Sequence, residues 1–341
     1  MEKFGLISYN SINIGDEIQS IAASRFIPEV NYYINREKLS LFKAKTDGTR
    51  IRLIMNAWYM WRPKYFVPPK AIQPLLISMC FGKRIQKKSF LSKRVKHFLL
   101  DNGPVGCRDN RTLDYLTKNG IPAYFSGCLT STLIGGERHP QNYILCLDLN
   151  VNIVEFIKKE ANCPVYDLSK FFSPYINSKN RYRLAKAVLY SIKNAKAIVT
   201  TNFHTALPAM AFNTPCCLIK PDGDGGDFEG RLQGYENILK FYSEADFLSG
   251  KVFDINNPSP VIQTKEFVEM KTRLEEKCTL FTGFDSKKPI FEDGYNPLLD
   301  VFEFLRYNRG DINRVLMHAK RLDLIKTTIK RFVGKNYLDL K

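Results

Sequence analysis

Apolar and polar positions along the chain alternate between two periods. Runs of about four to eight apolar, β-rich residues are separated by stretches in which apolar residues recur every three or four positions, the pattern of an α/β protein. Phe4 to Tyr9 reads as a first strand, and beyond the turn-prone Asn10 to Gly15, Ile18, Ile21, Ala22 and Phe26 share one helical face. Arg52 to Asn56 and Leu75 to Cys80 read as further strands, with Pro68 and Pro69 in the loop between them. Phe90, Leu91, Val95, Phe98 and Leu99 form a helical stripe in a basic stretch. Val105 to Cys107 is a short strand leading into a helix that Asp109 is placed to cap and Gly120 to end, and Ala123 to Ser126 is the next strand.

The polar segment Gly135 to Asn142 breaks the pattern, which then restarts. Strands at Tyr143 to Asp148, Val165 to Leu168, Ala197 to Thr201 and Cys216 to Ile219 alternate with helices at Val151 to Ala161, Arg181 to Ala195 and Thr205 to Phe212. The expected organisation is an N-terminal α/β unit over 1–138, a second over 139–300, and a tail over 301–341. In the tail, Leu322, Ile325, Ile329 and Phe332 share a face flanked by Lys320, Lys326, Lys330 and Arg331: an amphipathic basic helix that either packs on the body or lies on a membrane surface.

Composition narrows the class. The 341 residues are 44% hydrophobic and carry 51 Lys and Arg against 34 Asp and Glu, which excludes collagen-like, disordered and coiled-coil chains. No apolar run approaches a spanning length, and Phe4 to Tyr9 is too short for a signal-peptide core, so a cytoplasmic protein is expected. Eight cysteines without C-x-x-C spacing read as reduced, buried thiols, and with four histidines and no Cys/His cluster no metal site is expected. Most of the net charge of +17 is local: residues 83–96 hold seven basic and no acidic residues, and 311–341 hold eight basic and three acidic. Such patches suit anionic partners.

In parallel sheets ligands bind beyond the carboxyl ends of strands, so the polar loops there are the candidate sites. In the first, Asn10 to Gln19, Gly15 lets a backbone approach a ligand and the following helix start offers N–H groups to an anion, while Asp16 is either a cap or a working carboxylate. In the second, Gly106 to Asp109, Arg108 at a strand-to-helix junction either clamps a phosphate or carboxylate or pairs with Asp109 or Asp114 at the surface. In the third, Thr200 to Thr205, His204 stands at a strand-to-helix switch, where it is either a satisfied capping group or a proton-transfer group. The fourth, Asp222 to Asp227, has the wrong spacing for a calcium loop and reads as a mobile lid, with Arg231 just beyond. No G-x-G-x-x-G is present to suggest a dinucleotide.

Five of these segments, in order, carry a resemblance: Asn13-Ile-Gly-Asp-Glu-Ile-Gln-Ser20, Asn56-Ala-Trp-Tyr59, Gly106-Cys-Arg-Asp109, Phe125-Ser-Gly-Cys-Leu-Thr130 and His204-Thr-Ala-Leu-Pro208. Together they resemble the polysaccharide pyruvyl transferase family from about residue 4 to about residue 240, leaving the basic tail outside. The resemblance implies two Rossmann-like domains facing across a cleft, as in GT-B glycosyltransferases. It also implies transfer of the pyruvyl group of phosphoenolpyruvate onto two hydroxyls of one sugar, a ketal found on capsular, exopolysaccharide and cell-wall glycans, with phosphoenolpyruvate as donor substrate and no cofactor. His204 matches the family histidine and would be the general acid; Arg108 matches a family arginine and would hold phosphate or carboxylate; Asp16 would orient or deprotonate a hydroxyl. Gly15 and Asn13 fall in the substrate loop. Where many members carry Arg two residues before the histidine, this chain has Asn202, and Lys220 or Arg231 would supply the missing charge.

The acceptor would be a nucleotide-linked or lipid-linked sugar. A GT-B-type glycosyltransferase using a nucleotide sugar is the alternative enzyme; a nucleic-acid binder fits the charge but not the layout, since no RNA-binding or helix-turn-helix signature appears. If the acceptor is lipid-linked, the basic stretches would hold the protein peripherally on the inner face of the membrane, at about 1 kcal/mol per Lys or Arg near the surface. Sedimentation with anionic vesicles should therefore show binding that weakens as salt is raised; binding that is absent or indifferent to salt refutes this reading.

Overall fold

In the computed structural model, which describes residues 2–9, 11, 13–44, 48–59, 62–82, 90–168, 178–222, 227–292 and 295, the first strand, β1 (Lys3–Ser8), is buried along its four central residues. Such a continuous apolar run suits a strand covered on both faces of a parallel sheet. It pairs in parallel with β2 (Tyr32–Asn35) on one side and β3 (Ile51–Ile54) on the other, and β3 pairs with β5 (Ile72–Leu75). The rows of β3 and β5 continue past a short irregularity into a second parallel pair, β4 (Trp58–Tyr59) and β6 (Cys80–Phe81), bridged by the Met55 N–H on the Leu75 carbonyl and the Cys80 N–H on the Ala57 carbonyl. Residues between β5 and β6 then bond β7 (Val105–Cys107), which pairs with β8 (Ala123–Phe125). The strand expected at Leu75 to Cys80 is thus a bent row divided between two partners. The pattern of polar and apolar residues gave no warning of β2, whose sequence YYIN alternates poorly.

The second sheet is parallel throughout, in the order β10 (Val165–Asp167), β9 (Gln141–Leu147), β11 (Ala195–Thr200), β12 (Cys216–Lys220), β13 (Phe241–Ser243). Helices α1 (Ile14–Ser24), α2 (Lys93–Asp101) and α3 (Asn110–Thr117) belong to the first half of the chain. Asp109 caps α3 as expected, its Oδ1 accepting from the Thr112 N–H at 2.8 Å. The second half supplies α4 (Val151–Glu160), α5 (Ser178–Asn194), α6 (Phe203–Ala211), α7 (Asp227–Leu232), α8 (Glu244–Leu248) and α9 (Lys265–Thr282). Among the described residues no helix is long and apolar enough to cross a membrane. Residues 83–89, loop residues 223–226 and the tail at 301–341 lie outside the described residues.

The largest core cluster contains residues on both sides of position 138. Phe4, Ile18 and Ile21 of the first half share it with Leu145, Leu189, Ile198 and Leu207 of the second. Helix α1 is the common element. It packs on α5, where Glu17 Oε1 lies 2.6 Å from Arg181 Nε in a buried ion pair, burial pushing the carboxyl up to about 7 against the pull of the guanidinium. Helix α9, which the hydrophobic pattern did not reveal, returns to the first half: Phe267, Met270, Leu274 and Cys278 enter the same core, and Met270 Sδ occupies the space where a Cβ on Gly127 (φ +76°) would stand.

Arg25, just past α1, clamps this return. Its Nε and Nη2 bind Asp285 Oδ1 and Oδ2 at 2.7 and 3.0 Å, and Nη1 reaches Glu275 Oε1 at 2.7 Å and the Thr132 carbonyl at 2.5 Å. Burial raises the Asp285 carboxyl, but bonds from Arg25 and Lys287 outweigh it and hold the group below the ordinary aspartate range. The stability this bond supplies is therefore present above about pH 4 and lost as pH falls through the depressed native value. Arg25→Met, which leaves two carboxylates facing a carbonyl, should cost about 3–5 kcal/mol. Thermal midpoints against pH check both: the variant should melt well below the wild type at neutral pH, and the gap should narrow in acid.

Candidate active site

Each sheet has a topological switch point, and the two meet. In the first, the chain leaves β1 for β2 on one side and returns to β3 on the other; in the second it leaves β9 for β10 and returns to β11. Ligands bind at such points because loops diverge there and helix N-termini are exposed. The helix after β1 is α1 and the helix after β11 is α6. Asn13 caps the first, its Oδ1 accepting from the Gly15 N–H at 2.9 Å, and Asn202 caps the second, its Oδ1 accepting from the His204 N–H at 2.8 Å. The cap of α1 is thus Asn13, and Asp16 lies in the first turn.

The two N-termini touch through Gly15 and His204. A Cβ on Gly15 would stand 2.7 Å from His204 Nδ1 and 3.1 Å from His204 Cβ, so the bare backbone of α1 makes room for the imidazole. On the ring's other side, Arg108 Nη1 lies 3.1 Å from His204 Nε2. Guanidinium only donates, so Nε2 is the acceptor and the ring proton sits on Nδ1. Arg108 is buried, with no surface pairing to Asp109 or Asp114; its carbonyl accepts from the Tyr235 hydroxyl at 2.8 Å, and Tyr235 stacks edge-on against Phe203 with centroids 4.7 Å apart. Burial first, and then the charges of Arg108 and Arg231, hold the imidazole well below the usual histidine range, so the free site holds it neutral.

Beside this pair opens a cleft of about 200 Å³ lined by Asp148, Thr201, Asn202, Phe203, Pro221, Arg231 and Leu232. Its wall is the carboxyl end of the second sheet. Asp148 follows β9 with φ +55°, and its Oδ2 accepts from Asn202 Nδ2 at 2.5 Å. A loop residue has therefore become a fixed carboxylate on the cleft, one amide away from the His204 backbone.

A model of one family, described as polysaccharide pyruvyl transferase, matches residues 13–223. The chain belongs to the polysaccharide pyruvyl transferase family. The match runs from the Asn13 cap through Arg108 and His204 to just beyond Pro221, and so covers most of the groups described above. A functionally uncharacterised protein of Klebsiella pneumoniae subsp. pneumoniae is a similar solved structure, at 13% identity and a TM-score of 0.40, over 71% of this chain and 92% of that one. No curated protein matches the chain.

Within this family frame, the structure brings together Asn13, Gly15, Arg108, Asn202, His204 and Arg231. Asp16 stands apart from the cleft lining: it is buried, ion-paired with Arg36 Nη1 at 3.0 Å, and its Oδ2 accepts from Ser11 Oγ at 2.5 Å. Asn202 spends its amide on the His204 N–H and on Asp148, acting as a cap where the family pattern has an arginine. Arg231 lines the cleft; Lys220 ends β12 one residue before the lining Pro221. Sequence reasoning assigned no role to Asp148, Gln19 or Tyr235. The rule that ligands lie at strand carboxyl ends points to Asp148, whereas nothing local marks Tyr235, which reaches Arg108 only through the tertiary fold.

Gly15→Ala tests the contact between the helices. In the first turn of a helix Ala is worth up to about 1 kcal/mol over Gly, so any loss isolates the clash with the imidazole. We expect a net destabilisation of about 1–3 kcal/mol, read as a lowered thermal midpoint.

Proposed function

We propose that this chain is a pyruvyltransferase that moves the pyruvyl group of phosphoenolpyruvate onto two hydroxyls of a sugar during surface-polysaccharide biosynthesis. The observation that carries the reading is the Arg108–His204 contact at 3.1 Å, set between two helix N-termini and next to a cleft that Asn202, Phe203 and Arg231 line. That assembly suits a small polyanion and puts a titratable imidazole beside it. We take the two parallel sheets as the Rossmann-like halves of a GT-B-like fold, the acceptor being a nucleotide-linked or lipid-linked sugar.

The chemistry asks for one proton donor and a polyanion clamp. Protonation of the donor methylene at C3 makes C2 electrophilic; one hydroxyl adds there, the bond from C2 to the phosphate oxygen breaks, and the second hydroxyl closes the ketal. Of the two hydroxyl protons, one balances the new methyl hydrogen and the other leaves with phosphate. His204 is the donor to C3. Held neutral by burial and by two arginines, it gains a proton when donor charge offsets Arg108 and Arg231. Arg231 supplies the second charge that Asn202 lacks.

Two measurements test this. A ligand at 100 times its dissociation constant adds about 2.7 kcal/mol, so phosphoenolpyruvate should raise the thermal midpoint by several degrees, and Arg108→Met should abolish the shift. A shift with nucleotide sugars alone would transfer the assignment to glycosyl transfer. Because the bound imidazole carries a proton that the free one lacks, affinity for phosphoenolpyruvate should fall as pH rises between the free and bound values. Comparison with His204→Gln cancels the ligand's own titration; equal slopes in the two proteins would remove His204 from the proton account.

A further inference from the structure

We propose that Gln19 is the positioning residue that aims Arg108 at His204, and that Asp16 acts by fixing the orientation of the Gln19 amide. The inference rests on the pyruvyl-transfer reading for its consequence, though not for its geometry.

Arg108 Nη1 carries two N–H bonds, and two acceptors lie within reach: His204 Nε2 at 3.1 Å and Gln19 Oε1 at 3.2 Å. With one hydrogen committed to Gln19, the other is directed at the imidazole. The arrangement works only if Gln19 presents oxygen, not nitrogen, to the guanidinium. A side-chain amide is nearly symmetric in shape, so its surroundings must break the tie. Asp16 does so: its Oδ1 lies 3.3 Å from Gln19 Nε2, and the Gly15 carbonyl lies 3.4 Å from the same nitrogen. Both are acceptors. Turning the amide over would set oxygen against a carboxylate and a carbonyl, and an NH2 group against a guanidinium, losing every bond at once.

The Asp16 carboxylate is in turn fixed by Ser11 Oγ and the buried guanidinium of Arg36, which pairs with Glu37 Oε1 at 2.8 Å and lies 4.8 Å over the Tyr9 ring. Gln19 itself is 1% exposed, and its own carbonyl accepts from Asn56 Nδ2 at 2.8 Å. The line Arg36, Asp16, Gln19, Arg108, His204 therefore runs from the interior of the first half to the imidazole of the second; within it Asp16 decides which face of the Gln19 amide meets Arg108, and Arg108 decides the tautomer of His204. Asp16 and Gln19, three apart on α1, lie on one helix face, the spacing that lets them meet.

The test uses the full chain with ring-nitrogen-labelled histidine. In the wild type the His204 signals should report an unprotonated Nε2 and a protonated Nδ1; in Gln19→Met the two tautomers should mix. Unchanged signals in a folded Gln19→Met would overturn the proposal. Phosphoenolpyruvate binding supplies the second arm: Gln19→Met should weaken it at least tenfold, about 1.4 kcal/mol. In an Arg108→Met background the same change should leave the nitrogen signals where Arg108→Met alone puts them, since Gln19 acts through Arg108; a further change would mark a merely structural role. Asp16→Asn keeps through Oδ1 an acceptor for Gln19 Nε2 and guards against loss of fold in the methionine variant; it should preserve the wild-type tautomer, and a mixed one would count against the proposal. If the wild type binds no phosphoenolpyruvate, the donor reading falls while the nitrogen signals still decide the role of Gln19.

Discussion

A guanidinium 3.1 Å from an imidazole is the constraint around which this site is arranged. Arg108 keeps its charge under any ordinary condition, so the ring beside it can be a hydrogen-bond partner only while neutral. Keeping the pair together takes scaffolding on every side. The bare backbone at Gly15 receives the ring, Asn202 holds its backbone, Tyr235 holds the carbonyl of Arg108, and Gln19 holds its guanidinium. Under the proposed function, an anion entering the cleft would meet positive charge already in place and would favour the protonated form of the neighbouring ring.

Much of the fold is written in local periodicity. The strands buried on both faces, from Phe4 onward and again around Ile144 and Ile198, announce themselves as unbroken apolar runs, and Asn13, Asp109 and Asn202 stand where capping chemistry needs an oxygen. Two kinds of element escaped. Strand β2 is short and of mixed polarity, and α9 buries only a narrow stripe, Phe267, Met270, Leu274 and Cys278, in a segment otherwise rich in charged residues.

The candidate site was legible only in part. Arg108 and His204 stood out because strand-to-helix junctions are few and neither residue is an ordinary cap there. What the sequence could not tell was direction. Asp16 follows a glycine at a helix start and so looks like a group aimed at substrate, yet the tertiary fold brings Arg36 against it and turns it inward. Asn202 looks like a lost arginine until its amide is seen to divide between the His204 N–H and Asp148. Each reversal comes from a partner distant in sequence.

The core shared across residue 138 bears on how substrates enter. Phe4, Ile18 and Ile21 are packed together with Leu145, Leu189 and Leu207, Arg25 grips the segment beyond α9, and α1 contributes at once to the core, to the Glu17–Arg181 pair and to the floor beneath His204. Swinging the two sheets apart would expose that apolar surface and strand those charges, a cost comparable to unfolding the element between them. The cleft is therefore an equilibrium property of the folded chain. On this frame Arg108 and His204 hold their 3.1 Å spacing through contacts within the folded chain itself.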